Sequence, residues 1–296
     1  MSNRIKTIEL FLALGFATAV GTQTVAANTS DADGMVNEPA TDLLLIAQGG
    51  ESAQGGEGGE GGEGGEGGEG GEGGEGGEGG EGAVSTGDPE VDYMAVLGLM
   101  KGNLNAAEEL IAAREYEQAA PHIQQRVIDE LYSDVEPMLQ EKGVEDFKPT
   151  LTQLNDLVQT APESPEVVTL LDESMTSIDN AIAAVPEEQA NSPEFVMDVM
   201  VEILQNAAAA YEAAIANNQI AEVVKYQDSK GAVDYADTLY QTVAEEKSQA
   251  DPEGHETITN SLAELKTAMP SIEPPEAPIL EPSEVYGLVS QIEFSK

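Results

Sequence analysis

The residues able to bind or activate a ligand are unevenly supplied: 56 Asp and Glu stand against 12 Lys and Arg, with two histidines and no cysteine. Without a thiol there is no disulfide, no thiolate metal ligand and no cysteine nucleophile. His122 and His255 each fall near a helix start, and neither has a second histidine at helical spacing, so each reads as a surface or capping residue rather than half of a zinc-binding face. Glu108 and Glu212 differ from the other carboxylates because they occupy matching positions of two related segments and follow small-residue stretches, "NAA" and "AAAAY". Facing inward, they can coordinate a hard metal cation together with a neighbouring carboxylate or His122, since oxygen and imidazole donors suit such ions. The plain alternative is an exposed helix face. Met94, Met100, Met197 and Met200 read as core filling on apolar stripes, and the Gly98 and Gly102 pair in "GLMKG" reads as a close crossing of two helices. A phosphate loop, a nucleophile elbow and a zinc-protease helix motif are all absent, so no catalytic residue and no cofactor beyond a possible hard cation is implied.

These residues need elements to position them, and from Asp88 onward apolar residues recur at three- and four-residue steps, the period of helices. Asp88-Pro89, Ser164-Pro165, Ser192-Pro193 and Asp251-Pro252 each offer a capping side chain followed by a proline that has no N–H to lose at a helix start. Pro137, inside another helical stretch, is expected to kink or break it. The chain also resembles itself: "DPEVDYMAVLGLM" at Asp88 matches "SPEFVMDVMVEIL" at Ser192, "DELYSDV" at Asp129 matches "DTLYQTV" at Asp237, and Phe147, Leu151, Leu154 and Val158 fall on Ile258, Leu262, Leu265 and Met269. The matches keep their order while their shift only grows, as a tandem duplication with longer loops in the second copy predicts. The fold class expected is therefore all-α, two tandem four-helix units at 88–185 and 186–296, with a proline-rich strap "MPSIEPPEAPILEP" crossing the second.

Ahead of the helices lie three further segments. Residues 1–27 carry Arg4 and Lys6, an apolar run from Leu10 to Val20 and the small-residue site Val25-Ala26-Ala27, which is the pattern of a cleaved secretory signal peptide. Residues 28–54 form a low-order segment containing the short apolar cluster Leu43 to Ala47, and 55–87 form a tether built on nine Gly-Gly-Glu triplets. Such triplets offer nothing apolar to bury against the large entropy lost on ordering glycine, so disorder is expected. The formal net charge of −44 disfavours nucleic acid and anionic membrane surfaces and leaves cations or a basic protein as partners, with the oligomeric state open.

An exported chain of two related helical bundles from Asp88 to Phe294 resembles the imelysin type of periplasmic protein, a family tied to bacterial iron handling and named for a peptidase-like relative. Its hallmark Gly-x-His-x-x-Glu motif is missing: "GNLNAAE" at Gly102 has Asn where a ligand is wanted. The expectation is accordingly a non-catalytic helical binding or scaffold protein, exported to the periplasm or the extracellular space. The alternatives are a periplasmic protein that binds iron or another metal, and a hydrolase of unknown type.

Overall fold

The computed structural model describes residues 86–296. The signal peptide, the Leu43 cluster and the Gly-Gly-Glu repeat lie outside the described residues. In chain order the elements are α1 (Pro89–Ala113), α2 (Tyr116–Pro121), a π-helical segment (His122–Leu131), α3 (Tyr132–Glu141), α4 (Lys148–Thr160), α5 (Glu166–Ile182) and α6 (Glu187–Ala190). They continue with α7 (Pro193–Ala214), β1 (Ile215–Ala216), β2 (Gln219–Ile220), α8 (Val223–Gln241), α9 (Ala244–Ala250), α10 (Pro252–Ala268) and α11 (Pro282–Phe294).

The all-α class holds. α1 packs on the π segment and α5, and α4 closes the ring between them. In the second half α7 packs on α8 and α11, and α10 closes the ring. The same neighbour order thus recurs in both halves, which is the layout that the internal repeat predicts. Leu131 with Tyr132, and Leu239 with Tyr240, are buried in the two halves alike. The halves meet through α1, which lies against both α7 and α8. Burial around nearly the whole circumference of α1 and α7 explains their almost unbroken apolar runs, such as Tyr93 to Met100 and Val199 to Leu204 with Glu202 as its one polar member.

Local signals differ in strength. Asp88 caps α1 by accepting from Glu90 N–H at 2.9 Å, and Asp251 caps α10 by accepting from Gly254 N–H at 3.0 Å. Ser192 precedes α7 without a side-chain cap bond, and α5 begins one residue later than Ser164-Pro165 implies, at Glu166. Pro137 does not break its helix: α3 runs through it, and the change of winding lies upstream, at His122–Leu131. Among the described residues the departure from helix is a two-residue antiparallel hairpin pairing Ile215 with Ile220 and Ala216 with Gln219. Its turn, Asn217-Asn218, has φ of 53° and 60°, the left-handed pair that a tight hairpin demands and that Asn tolerates better than most residues. The strap before α11 is held by buried phenols: Tyr211 donates to Leu280 O at 2.8 Å and Tyr226 to Ser271 O at 3.0 Å. All four singled-out methionines are core residues.

Candidate functional site

Where α1 crosses α8, the backbones touch. A side chain on Gly102 would place its Cβ 2.8 Å from the carbonyl carbon of Gly231, so both positions require glycine. The Gly98 and Gly102 pair therefore marks a close helix crossing, as its spacing predicts. Beside that contact lies a buried polar cluster. Its members are Asn103 on α1, His122 and Arg126 on the π segment, and Gln227 and Asp228 on α8.

His122 is fully buried, not the surface or capping residue its sequence context implies. Its Nδ1 stands 2.8 Å from Asp228 Oδ1 and 3.3 Å from Asn103 Oδ1, and its Nε2 stands 2.9 Å from Gln227 Oε1. The amide orientations are fixed from outside, because Asn103 Nδ2 donates to Leu99 O at 3.0 Å while Gln227 Nε2 donates to Gln118 Oε1 and to Ile272 O. Both ring nitrogens thus face oxygen atoms of the cluster. Asp228 also stands 3.0 Å from Arg126 Nε, an ion pair without hydrogen-bond alignment; Arg126 pairs in addition with Glu130. In this arrangement each ring nitrogen of His122 is engaged within the cluster. It ties the first half of the molecule to the second.

The other two metal candidates lie elsewhere. Glu108 is half-buried on α1, and its carboxyl is raised above the ordinary range by burial first and then by Asp172 of α5 and its neighbour Glu109. Glu212 is exposed on α7 and accepts a hydrogen bond from the Tyr286 hydroxyl at 3.0 Å. Glu108, Glu212 and His122 are not brought together, and among the described residues no group of three or more His, Asp or Glu converges on a point. His255 stays at the start of α10, where Nδ1 meets the Tyr240 hydroxyl at 2.7 Å.

Asp172 leads to a second feature, a cleft of about 530 Å³ between α5 and the segment entering α4. Glu145, Asp146, Thr150, Asp172, Glu173 and Asn180 give it a wall of oxygen donors. Asp146 is held in place by the Tyr132 hydroxyl at 2.6 Å and the Lys148 N–H at 2.9 Å, and these bonds lower its carboxyl below the usual range. A wall this rich in carboxylates attracts hard cations and repels anions.

The residues that sequence reasoning missed are Asp228 and Gln227. A signal was present: "QDSKG" places four polar residues in a row inside a helix, where at least one must turn inward, directly before a glycine that permits close approach.

Comparison with known proteins adds one match. Residues 186–295, covering α6 to α11, match the family described as the iron permease-associated 4-helix bundle domain. No curated protein and no solved structure matches the chain. The match corrects three expectations. The bundle resembles an iron permease-associated domain and not the imelysin type. The match speaks against a free scaffold or binding protein and favours the metal-binding alternative held above. The expected periplasmic or extracellular location of a free protein is not supported by a match whose family is described by its association with iron permeases; among the described residues no helix is long and apolar enough to cross a membrane. What the comparison adds for residues 186–295 is a likeness to a four-helix bundle domain described as iron permease-associated.

Proposed function

We propose that the chain is an accessory component of a membrane iron transport system, collecting iron cations and delivering them to a permease. The observation that carries this reading is the family match over residues 186–295. The chemistry of the rest of the chain supports it. A net charge of −44 concentrates cations near the surface, and with no cysteine in the chain and Met94, Met100, Met197 and Met200 buried in the core, carboxylates are the most abundant ligands, a set that suits hard cations. The cleft lined by Asp172, whose charge also reaches Glu108, is the place where such ions would gather in loosely held, hydrated form, since among the described residues no three ligands converge. Loose capture suits a component that must release its cargo.

Equilibrium dialysis of the purified full-length chain against ferrous iron under anaerobic conditions tests the reading. Iron retained above the level of a control protein of equal charge, and displaced only partly by added salt, is the expected result. Retention no greater than the control, or complete loss at physiological salt, would leave a mere polyanion and overturn it.

A further inference from the structure

The first helices of the two halves bring two acids against each other. Glu202, in the middle of α7, is fully buried within a run, Val199 to Leu204, whose other members are all buried apolar residues. Neither of its carboxyl oxygens meets a hydrogen-bond donor. The polar group it faces is another acceptor, Asp92 of α1, close enough for a proton to lie between the two. Asp92 Oδ1 also accepts from the Thr86 N–H at 2.8 Å and from the Thr86 hydroxyl at 2.7 Å. Burial, and after it the Asp92 charge, push the Glu202 carboxyl up to about 8.

A leucine or methionine would fill that space at no electrostatic cost, so a carboxyl kept there without donors calls for a partner: a water, a proton or an ion. A shared proton satisfies one oxygen of each group. A cation satisfies both groups together and cancels their charge in the medium where like charges repel most strongly. The route to the pair is open on one side, since Asp92 is half-buried and Thr86 is exposed. The two carboxylates and the Thr86 hydroxyl are oxygen donors, the kind a hard cation takes.

We propose that Asp92 and Glu202 form a binding site for one hard divalent cation, held between α1 and α7. Two carboxylates leave the rest of the coordination sphere to water, as small hard cations accept. The site would join the two halves of the molecule through the ion. It rests on the cation-handling reading above and gives that reading a specific place, distinct from the open cleft.

The test uses the full-length chain, freed of metal with a chelator, in the wild type, Glu202→Gln and Asp92→Asn. Manganese(II) is titrated with the free ion followed by electron paramagnetic resonance, and ferrous iron is titrated anaerobically. Circular dichroism melting reports the fold. One site per chain in the wild type, lost in both variants, is expected, while Glu202→Gln melts at or above the wild-type temperature. Should Asp92→Asn fail to fold, Glu202→Gln alone carries the test. Equal stoichiometry and affinity in wild type and Glu202→Gln would mean that the pair takes only a proton; this overturns the site and leaves the wider iron reading standing. A manganese site with no retention of iron would keep the site and overturn the iron reading. No binding of either ion overturns both.

Discussion

A methyl group at position 102 has nowhere to go. Its nearest neighbours would be the carbonyl carbon and oxygen of Gly231, both at 2.8 Å, and backbone cannot swing aside as a side chain can. Gly102→Ala must therefore push α1 and α8 apart, at an expected cost of about 1–3 kcal/mol. Gly287 in α11 provides the control, because an added Cβ meets nothing within 4 Å and alanine gains about 0.5–1 kcal/mol over glycine inside a helix. Thermal melting of the two variants should move in opposite directions, and equal shifts would show that the crossing is not tight. The glycine spacing on α1 was legible because small residues four apart in an apolar helix have few other uses; the identity of Gly231 as partner was not, because no local pattern says which helix crosses which. Glu202 was invisible for a related reason, being one of many acids and distinguished only by a burial that tertiary packing confers. Its raised carboxyl has a consequence for metal-free protein. The folded state prefers the protonated form more than the unfolded chain does, so its contribution is most favourable below the ordinary glutamate range and is lost as pH rises from there through about 8. Subtracting the melting curve of Glu202→Gln from that of the wild type isolates the effect from groups such as Asp146, whose lowered carboxyl acts in the opposite sense on the acid side. The wild type should lose stability relative to the variant across that window, and a flat difference would contradict the burial.

The joint between the π segment and α8 shows how an element gains a role that its own sequence does not announce. His122–Leu131 reads as an ordinary amphipathic helix, and its wider winding could not be foreseen from residue types. Wide helical turns recur at functional sites, and here the segment carries His122 and Arg126 to Asp228 on the opposite half. Removing the carboxylate leaves His122 and the buried Arg126 without their shared partner. Asp228→Ala is expected to cost about 3–5 kcal/mol, the range for breaking one side of a buried ion pair, against about 0–1 kcal/mol for Glu163→Ala, whose pair with Arg114 is exposed at both ends. Denaturant unfolding of the two variants gives the comparison directly. If Asp228→Ala proves as mild as Glu163→Ala, the cluster is solvated in solution and does not fasten the halves. Capping signals at this scale were more readable. Asp88 and Asp251 do what their sequence implies, because a cap is a local device whose partner lies two or three residues away. The hairpin at Asn217-Asn218 went unseen because so short a ladder leaves no alternating pattern to read.

At the scale of the whole molecule, the three- and four-residue apolar spacing made the all-α class legible, and the self-matches of the sequence anticipated the paired neighbour order, since matching apolar positions would line equivalent cores. The way the halves are joined was not legible. The family match covers 186–295, one bundle, yet in this chain that bundle is not closed on itself. The face formed by Ile203 on α7 and Gly231, Ala232 and Tyr235 on α8 packs on Gly98 and Gly102 of α1, and Gln227 and Asp228 find their partner in His122. A fragment spanning 186–296 would expose that apolar face and leave the two polar residues facing water. Exposed apolar patches of this kind drive association or loosen packing. The expected outcome is a fragment that stays helical by circular dichroism but melts below the full chain, and that self-associates or binds a hydrophobic dye that the full chain excludes. Adding residues 86–185 as a separate polypeptide should restore the melt if the joint is formed by the contacts at Gly102, His122 and Asp228. A fragment that is monomeric, dye-free and as stable as the whole would mean that the two bundles are independent bodies, and that the cation site between α1 and α7 lacks the rigid frame its two acids need.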